Sequence, residues 1–449
     1  MAQPRRAPFH PRTHRARQAG EKLGLREAIA MAVGGMIGGG IFSVLGVTVD
    51  LAGHLAWVTF AIGGVIAMLT ARSYAGLAIR SGRAGGPFTY LRDEGHPEAA
   101  AWIAWGLVLG YIFALAVYAF TFGHYLAYAF GAPEVAARGA ALAVLAVLVL
   151  VNLRGVGTSG LTEDLVVVAK LVILGGIATV GLARFSPGRL DPPADKGVVG
   201  TLIAAGVIFV AYEGFELLSY DYPDLERPRR TFPLALYASV AIVAVVYIGV
   251  TLASQMLLSD ASLASGKEVA FAAVGQEALG TAGLWAVSIG AVLATASAIN
   301  ATLFSTARLV HTVSDADEMP ARLGRQRRGV PAEAIIWLSA AGGAVSLLPG
   351  ITELVAFGSL AFLTVFVLVN LMHARHSARP GLDRILALIA AVGCALADAL
   401  LLYYLARSDR PALAMITACA VGLVVARMAY VRWRRLRGPR GALPTARSR

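Results

Sequence analysis

Twelve long apolar stretches dominate this sequence and restrict the chain to a membrane fold. A helix needs about 20 apolar residues to cross the roughly 30 Å hydrocarbon core of a bilayer, and stretches of that length recur between residues 25 and 431. Their apolar residues run continuously instead of alternating with polar ones, which excludes the strands of a membrane β-barrel. The predicted spans are 25–51, 55–79, 98–130, 136–153, 161–183, 197–221, 234–258, 280–308, 332–349, 352–373, 383–405 and 411–431.

The composition excludes the other broad classes. Hydrophobic residues make up 57% of the 449 residues and charged residues 15%, whereas soluble domains have about 45–50% and about 25%. Disordered chains are poorer still in apolar residues. Cys394 and Cys419 both lie in apolar stretches and form neither a disulfide framework nor a metal-ligand pattern. We therefore expect an all-α integral membrane protein with no metal and no cofactor.

The basic residues predict the orientation of the chain. If the N-terminus is cytoplasmic, 31 of the 39 basic residues fall in cytoplasmic segments and seven in external ones, with Lys170 inside a span. This asymmetry fits the positive-inside rule for twelve spans with both termini cytoplasmic. The net charge of +12 is thus explained by topology, not by nucleic-acid binding. Residues 1–24 and 432–449 are predicted to be basic cytoplasmic tails.

The order of the spans predicts an internal repeat. Spans one and six each open a block of five, over residues 25–183 and 197–373, and two additional helices follow over 383–431. Because five is odd, the second block would be inverted relative to the first. Transporters built from inverted repeats bind substrate near the bilayer midplane, at helices that are broken in matching positions. We therefore looked for breaks in spans one and six.

Span one contains an unusual concentration of glycine. Five of the seven residues from 34 to 40 are glycine, and each costs about 1 kcal/mol relative to alanine inside a helix. We predict that the helix unwinds here, so that the backbone at Ile37, Gly38, Gly39 and Gly40 can bind a carboxylate. The alternative is close helix packing, because glycines four residues apart also suit that purpose.

Span six carries two carboxylates beside a glycine. Glu213 and Glu216 flank Gly214 near the middle of an apolar stretch, where ionisable groups usually face a cavity or a partner. We predict an open backbone whose carbonyls bind an ammonium, with one glutamate carrying a proton or pairing with a charge. Alternatively, Glu216 belongs to a solvated acidic end that faces a basic cluster; this end would contain Asp221, Asp224 and Glu226, and the cluster Arg227, Arg229 and Arg230.

Lys170 lies near the centre of span five, too far from either surface for its side chain to reach water easily. A lysine at this depth is costly unless it is paired, hydrated or neutral, which suits a proton carrier. The alternative is a structural lysine bonded to backbone carbonyls. Three weaker candidates for polar contacts in the site are Tyr111, Ser297 and Asn300, and helix packing is the favoured explanation for them.

Short motifs in these segments resemble the amino acid–polyamine–organocation superfamily of permeases. Residues 38–42, Gly-Gly-Gly-Ile-Phe, resemble its Gly-Ser-Gly-Ile-Phe signature, with Gly39 in place of serine. Residues 211–216, Ala-Tyr-Glu-Gly-Phe-Glu, and residues 227–233, Arg-Pro-Arg-Arg-Thr-Phe-Pro, resemble two further motifs of these permeases. Residues 73–78 and 85–90 are similar to the motifs after its second helix, although Gly76 replaces a common glutamate.

The resemblance implies a fold and a site. The fold would be the five-plus-five inverted repeat of the leucine transporter. The amides of Gly38, Gly39 and Gly40 would hold a substrate carboxylate. The substrate amino group would bind the carbonyls of helix six, contributed by Phe209, Val210, Ala211 and Tyr212. Lys170 matches a lysine of the proton-coupled and exchanger branches, which favours sodium independence, and Glu216 matches an acid at the helix-six gate.

Together these observations predict a plasma-membrane transporter that moves amino acids by alternating access, coupled to protons and independent of sodium. Small to medium neutral amino acids are the expected substrates, although Glu213 could instead admit a cationic amine. An exchanger of the same fold is the first alternative. A non-transporting membrane sensor is the second, and a membrane enzyme is disfavoured because no paired catalytic groups stand out in the sequence.

Overall fold

A computed structural model describes residues 22–154, 160–192, 194–327, 330–348, 350–376 and 381–436. Across these ranges the chain is helical, and the only β-type contacts are two isolated bridges, Leu23 with Leu225 and Arg327 with Val330. An all-helical fold is what the continuous apolar stretches predict, because a helix satisfies its own backbone hydrogen bonds within lipid. Most of the two predicted basic tails lies outside the described residues.

The helices follow the predicted spans closely. The first seven are α1 (Leu25–Met36), α2 (Gly40–Ala52), α3 (Ala56–Ser81), α4 (Gly86–Asp93), α5 (Pro97–Phe130), α6 (Glu134–Leu153) and α7 (Gly160–Ala183). The next eight are α8 (Gly197–Val207), α9 (Pro228–Leu257), α10 (Asp260–Gly266), α11 (Ala270–Asp315), α12 (Ala332–Ser346), α13 (Ile351–His376), α14 (Leu382–Ser408) and α15 (Arg410–Leu436).

Ten of the described helical stretches are long and apolar enough to cross a bilayer, so the chain is a multi-pass membrane protein. The number is smaller than the predicted twelve for two reasons. The first predicted span is divided into α1, which has only 12 residues, and α2, which is continuous with α3 in the stretch Gly40–Ser81. The ninth predicted span corresponds to α12, which has only 15 residues.

The interior is organised around α5, which packs against α6, α11, α12 and α13. Tyr111 and Tyr118 of α5 are seven residues apart, or about two turns, and therefore lie on one face of this helix. Both are buried. On another side of the molecule, α9 packs against α1, α3 and α7. The two interrupted helices are neighbours, because α2 packs against α8.

Candidate functional site

The predicted break in the first span lies between α1 and α2. After Met36 the chain turns, with Ile37 N–H donating to Val33 O at 2.9 Å and Gly38 N–H donating to Gly35 O at 3.2 Å. Helix α2 begins at Gly40. Because the first amides of a helix have no acceptor within it, the start of α2 offers N–H groups and the positive end of the helix dipole at this point. The glycine-rich stretch thus unwinds where it was predicted to.

Each glycine of the break is also required by packing. A β-carbon would lie 2.1 Å from Ala298 Cβ on Gly38, 2.3 Å from Tyr118 Cδ1 on Gly39 and 2.2 Å from Tyr247 Oη on Gly40. These three neighbours belong to α11, α5 and α9. None of the three positions therefore has room for a side chain. Unwinding and close packing therefore occur together at this segment.

The predicted break in span six has a different form. Helix α8 ends at Val207 and continues as 3₁₀ segments, Ile208–Tyr212 and Phe215–Asp224, separated by Glu213 in extended conformation and by Gly214 with φ 119°. A β-carbon on Gly214 would lie 2.7 Å from the carbonyl carbon of Gly35. The backbones of the two breaks are therefore in direct contact.

Two side chains from other helices hold the ends of these breaks. Tyr247 Oη of α9 lies 2.7 Å from Met36 O and 3.0 Å from Ala211 O, and so bridges the two breaks. Ser359 Oγ of α13 donates to Val207 O at 2.6 Å and accepts from Val210 N–H at 2.8 Å. Neither residue was predicted. A tyrosine in an aliphatic span is a weak signal, since a buried hydroxyl usually has a partner.

Lys170 lies at the first break. Its side chain is buried, 1% exposed, and Nζ donates to Gly34 O and Ile37 O, each at 2.9 Å. These contacts explain how the membrane interior tolerates the lysine, because carbonyl acceptors replace the water that burial removes. They also place the Lys170 amine directly beside the unwound backbone. The two interpretations of Lys170 are therefore compatible in this geometry.

The two glutamates of span six are bound by tyrosines of α5. Glu213 Oε2 accepts from Tyr118 Oη at 2.5 Å. Glu216 accepts from Tyr111 Oη at 3.3 Å and from Gly214 N–H at 3.0 Å. Glu216 is 1% exposed, so the interpretation of it as a solvated acid is wrong.

The two glutamates differ in how completely they are bonded. Both oxygens of Glu216 accept a hydrogen bond, whereas Glu213 Oε1 is buried and has no hydrogen-bond partner among the described residues. An acceptor in this state costs about 1–3 kcal/mol. This oxygen of Glu213 lies beside the two breaks, where a hydrogen-bond donor from a substrate, or a proton, would give it a partner.

The end of the 3₁₀ segment is held by an ion pair that the sequence did not predict. Asp221 pairs with Arg308 of α11, which also donates to Tyr220 O at 2.9 Å. Close by, Leu23 N–H donates to Asp224 O at 2.8 Å, and Glu226 N–H donates to Leu23 O at 2.7 Å. The expectation that Asp221 would face the basic cluster after span six is therefore wrong, because Asp221 is buried against α11.

The weaker candidates lie in different surroundings. Tyr111 is part of the glutamate cluster through its bond to Glu216. Asn300 Oδ1 accepts from Asn152 Nδ2 at 2.8 Å, which joins α11 to α6. Ser297 is half-buried and precedes Ala298, the residue packed on Gly38. Of these three, Tyr111 has the clearest connection to the two breaks.

Comparisons with known proteins agree with this architecture. The family model described as "Amino acid permease" matches residues 23–435. An uncharacterized protein of Methanocaldococcus jannaschii is 30% identical over 79% of this chain and 82% of its own length. The inner membrane transport protein YbaT of Escherichia coli is 29% identical, over 80% and 85%. The b(0,+)-type amino acid transporter 1 of Oryctolagus cuniculus is 28% identical, over 76% and 73%. With a match that spans both breaks and nearly all described helices, the chain belongs to the amino acid permease family, whose members are transporters and not enzymes.

Proposed function

We propose that this protein is a secondary active amino acid transporter of the plasma membrane that works by alternating access, coupled to protons and independent of sodium. Its twelve spans would form a five-plus-five inverted repeat followed by two helices, with both termini cytoplasmic. The paired breaks at the starts of the two predicted blocks support the repeat. The distribution of basic residues supports the orientation.

The observation that carries the proposal is the contact of Lys170 with the first break. In broken-helix transporters, unwound backbone carbonyls coordinate the coupling ion. Here the ammonium of Lys170 already occupies Gly34 O and Ile37 O. A covalently attached cation that engages these carbonyls removes the need for sodium, and it makes a proton on the lysine or on a nearby carboxyl the natural coupling ion.

The two breaks offer complementary groups for an amino acid. The amides of Gly38, Gly39 and Gly40 at the start of α2 would bind its carboxylate, helped by the helix dipole. The carbonyls of the 3₁₀ segment Ile208–Tyr212 would bind its ammonium. Relatives named as amino acid transporters support this substrate class, although one relative is named as a methylthioribose transporter.

Access to the site would alternate by movement at the ends of the broken helices. On one side of the site, the pair of Arg308 with Asp221 and the bridge of Leu23 with Leu225 would close the route to solvent. A transported substrate would have to break these contacts, or the equivalent contacts on the other side, in each half-cycle. Protonation of Glu213, Glu216 or Lys170 would couple to transport only if it favours one of the two states.

An exchanger is the second candidate, and one observation favours it. Two carbonyl acceptors stabilise the charged form of Lys170, so the lysine could remain an ammonium throughout the cycle. In that case no proton would be carried by it, and the return step would require a second substrate.

The proposal is tested by uptake of radiolabelled amino acids into proteoliposomes, with an imposed proton gradient, with and without sodium. We expect accumulation that requires the gradient, ignores sodium and is lost in Lys170→Ala. The matched control is Lys267→Ala, because Lys267 is exposed and its side chain lies outside the two breaks.

Three other outcomes would change the conclusion. Uptake that ignores the gradient but requires internal amino acid would establish exchange. Uptake that requires sodium would contradict the role assigned to Lys170. If the folded wild-type protein transports no amino acid or amine, the sensor interpretation gains support and the transport proposal fails.

A further inference from the structure

A second cluster of metal-ligating side chains lies away from the broken helices, where three connections meet. His54 follows α2, Asp195 lies between α7 and α8, and Asp260 begins α10 after α9. One ligand atom from each of the three lies within 4.8 Å of the other two. By the charge distribution of the sequence, these connections face the outside of the cell. Among the described residues, this trio is the one group of three or more such side chains with that spacing.

The imidazole of His54 is oriented by a backbone contact. Its Nδ1 lies 2.7 Å from Pro192 O. Because a carbonyl oxygen can only accept a hydrogen bond, Nδ1 must carry the proton. In the neutral ring, Nε2 then has its lone pair exposed, and it lies 3.6 Å from Asp260 Oδ2. A ring fixed in this way by a carbonyl is the arrangement that positions a histidine for metal binding.

The cluster has more acceptors than donors. Asp260 Oδ2 and Gln255 Oε1 are both buried without a hydrogen-bond partner among the described residues. Gln255 is 2% exposed, and its Nε2 donates to Asp260 Oδ1 at 3.2 Å and to Gly53 O at 3.0 Å. Asp195 Oδ1 accepts from the His54 backbone N–H at 2.9 Å. Asp260 Oδ2 and Gln255 Oε1 therefore have no hydrogen-bond donor among the described residues, and the Nε2 lone pair lies beside them.

We propose that His54, Asp195 and Asp260 bind a divalent cation of the zinc type. Imidazole nitrogens and carboxylate oxygens are both ligands of Zn²⁺, and three protein ligands with one water complete a tetrahedral site. Tetrahedral ligands at about 2.0–2.2 Å from the ion lie about 3.4 Å apart, so the side chains need to contract by roughly an ångström. Rotamer changes of the two exposed or half-exposed aspartates can supply this. Lys196, beside Asp195, weakens the site by repulsion.

If the proposed transport function is correct, an ion bound at this site would restrict the movement of α2. His54 directly follows α2, the outer part of the first broken helix, whereas Asp195 and Asp260 belong to other parts of the chain. A bound ion would join all three and stabilise the conformation in which they are close. External Zn²⁺ would therefore inhibit uptake by disfavouring the alternate state.

The direct test is calorimetric titration of ZnCl₂ into the detergent-purified full-length protein, which does not require transport. We expect one site whose affinity falls about tenfold or more in His54→Ala and in Asp260→Asn. Lys196→Gln should raise the affinity, because it removes a like charge. The matched control is His124→Ala. His124 is also bonded to an acid, with Nε2 3.1 Å from Glu134 Oε2, but it lies outside the trio.

The outcomes separate this proposal from its rivals and from the transport proposal. Equal Zn²⁺ affinity in wild type, His54→Ala and Asp260→Asn would overturn it, as would the absence of binding to folded wild type; His54 and Asp260 would then be only neighbouring polar groups. If only His124→Ala loses affinity for Zn²⁺, the ion binds at His124 and not at the trio. If Zn²⁺ binds as expected but no amino acid is transported, the site stands and the proposed function fails.

Discussion

The break after α1 and the break after α8 are neighbours in space but differ in what keeps the backbone open. At the first break, a β-carbon on any of three consecutive glycines would clash with a side chain from a different helix. At the second, a single glycine adopts φ 119°, and the remaining positions carry side chains. Its freed backbone groups are bonded by Ser359 and by Glu216.

The difference shows that an unwound helix can be stabilised from outside or from within. The first break depends on the fit of neighbours around missing side chains, whereas the second depends on polar side chains that replace helical hydrogen bonds. Lys170 adds polar support to the first break, and Tyr247 contacts both. The first break should therefore respond mainly to added volume, and the second to lost hydrogen bonds and to backbone strain.

The largest effect is expected for Gly214→Ala. Alanine at φ 119° is strained, and its β-carbon would clash with the Gly35 backbone at 2.7 Å, so the free energy of unfolding should fall by about 3 kcal/mol and uptake should be lost. Gly39→Ala should cost less, about 1–2 kcal/mol, because its φ is negative and its neighbour is the Tyr118 side chain instead of backbone. Reversible unfolding in mixed micelles measures both.

Gly249→Ala of α9 is the matched control for these substitutions. Nothing lies within 4 Å of its added β-carbon, so stability should change by less than about 1 kcal/mol. If Gly39→Ala were as destabilising as Gly214→Ala, the distinction between a side-chain neighbour (Tyr118) and a backbone neighbour (Gly35) would be wrong.

Tyr247→Phe should disturb both breaks at once. It removes the donor to Met36 O and Ala211 O, and a buried carbonyl left unsatisfied costs about 1–3 kcal/mol. We expect lower stability and about tenfold slower uptake, equivalent to about 1.4 kcal/mol. The control is Tyr125→Phe, which removes a bond to the single carbonyl of Phe42. Equal effects of the two variants would contradict a bridging role.

The two glutamates of the second break should separate stability from function. Glu216→Gln loses an acceptor that binds Gly214 N–H or Tyr111, so stability should fall by about 1 kcal/mol. Glu213→Gln keeps an acceptor for Tyr118 and should change stability by less than about 0.5 kcal/mol, yet reduce gradient-driven uptake or the preference for cationic amines. Substrate binding at several pH values, compared with unfolding, distinguishes them.

The reverse pattern would be informative. If Glu213→Gln unfolds the protein while Glu216→Gln transports normally, the unpartnered oxygen of Glu213 has a structural role and the functional assignments of the two residues must be exchanged.

The smallest effect is expected for Asn300→Ala. The Asn300 side chain accepts a hydrogen bond from Asn152. Such bonds between membrane helices contribute about 0.6 kcal/mol on average. Uptake should stay within about twofold of wild type, and Asn152→Ala should behave in the same way. A large loss of uptake with unchanged stability would instead place Asn300 in the substrate pathway.

The sequence predicted the helical membrane fold and the positions of both breaks. Each follows from the free-energy cost of particular residues within a helix or within lipid. Hydrocarbon allows a spanning segment few alternatives to a helix, and adjacent glycines weaken a helix wherever they occur. A lysine in mid-membrane needs partners for the same reason. The structure supplied those partners at Gly34 and Ile37, in agreement with one of the two interpretations offered for Lys170.

The contacts that depend on which helices are neighbours were not predictable in the same way. Tyr247, Ser359 and Arg308 each act on a segment more than 35 residues away, and nothing in their local sequence identifies the partner. The glycines of the first break exposed a second limit. The sequence suggested packing for glycines four residues apart, whereas the consecutive residues Gly38, Gly39 and Gly40 are all closely packed.

Tyr247, the tyrosine that bridges the two breaks, faces more acceptors than it has protons to donate. A phenol has one proton to share, whereas Tyr247 faces two carbonyl oxygens, Met36 O and Ala211 O. Both cannot be fully satisfied by it. An ammonium group brings three donors, so the amino group of a substrate bound between the breaks could donate to the carbonyl oxygen that the phenol proton does not reach.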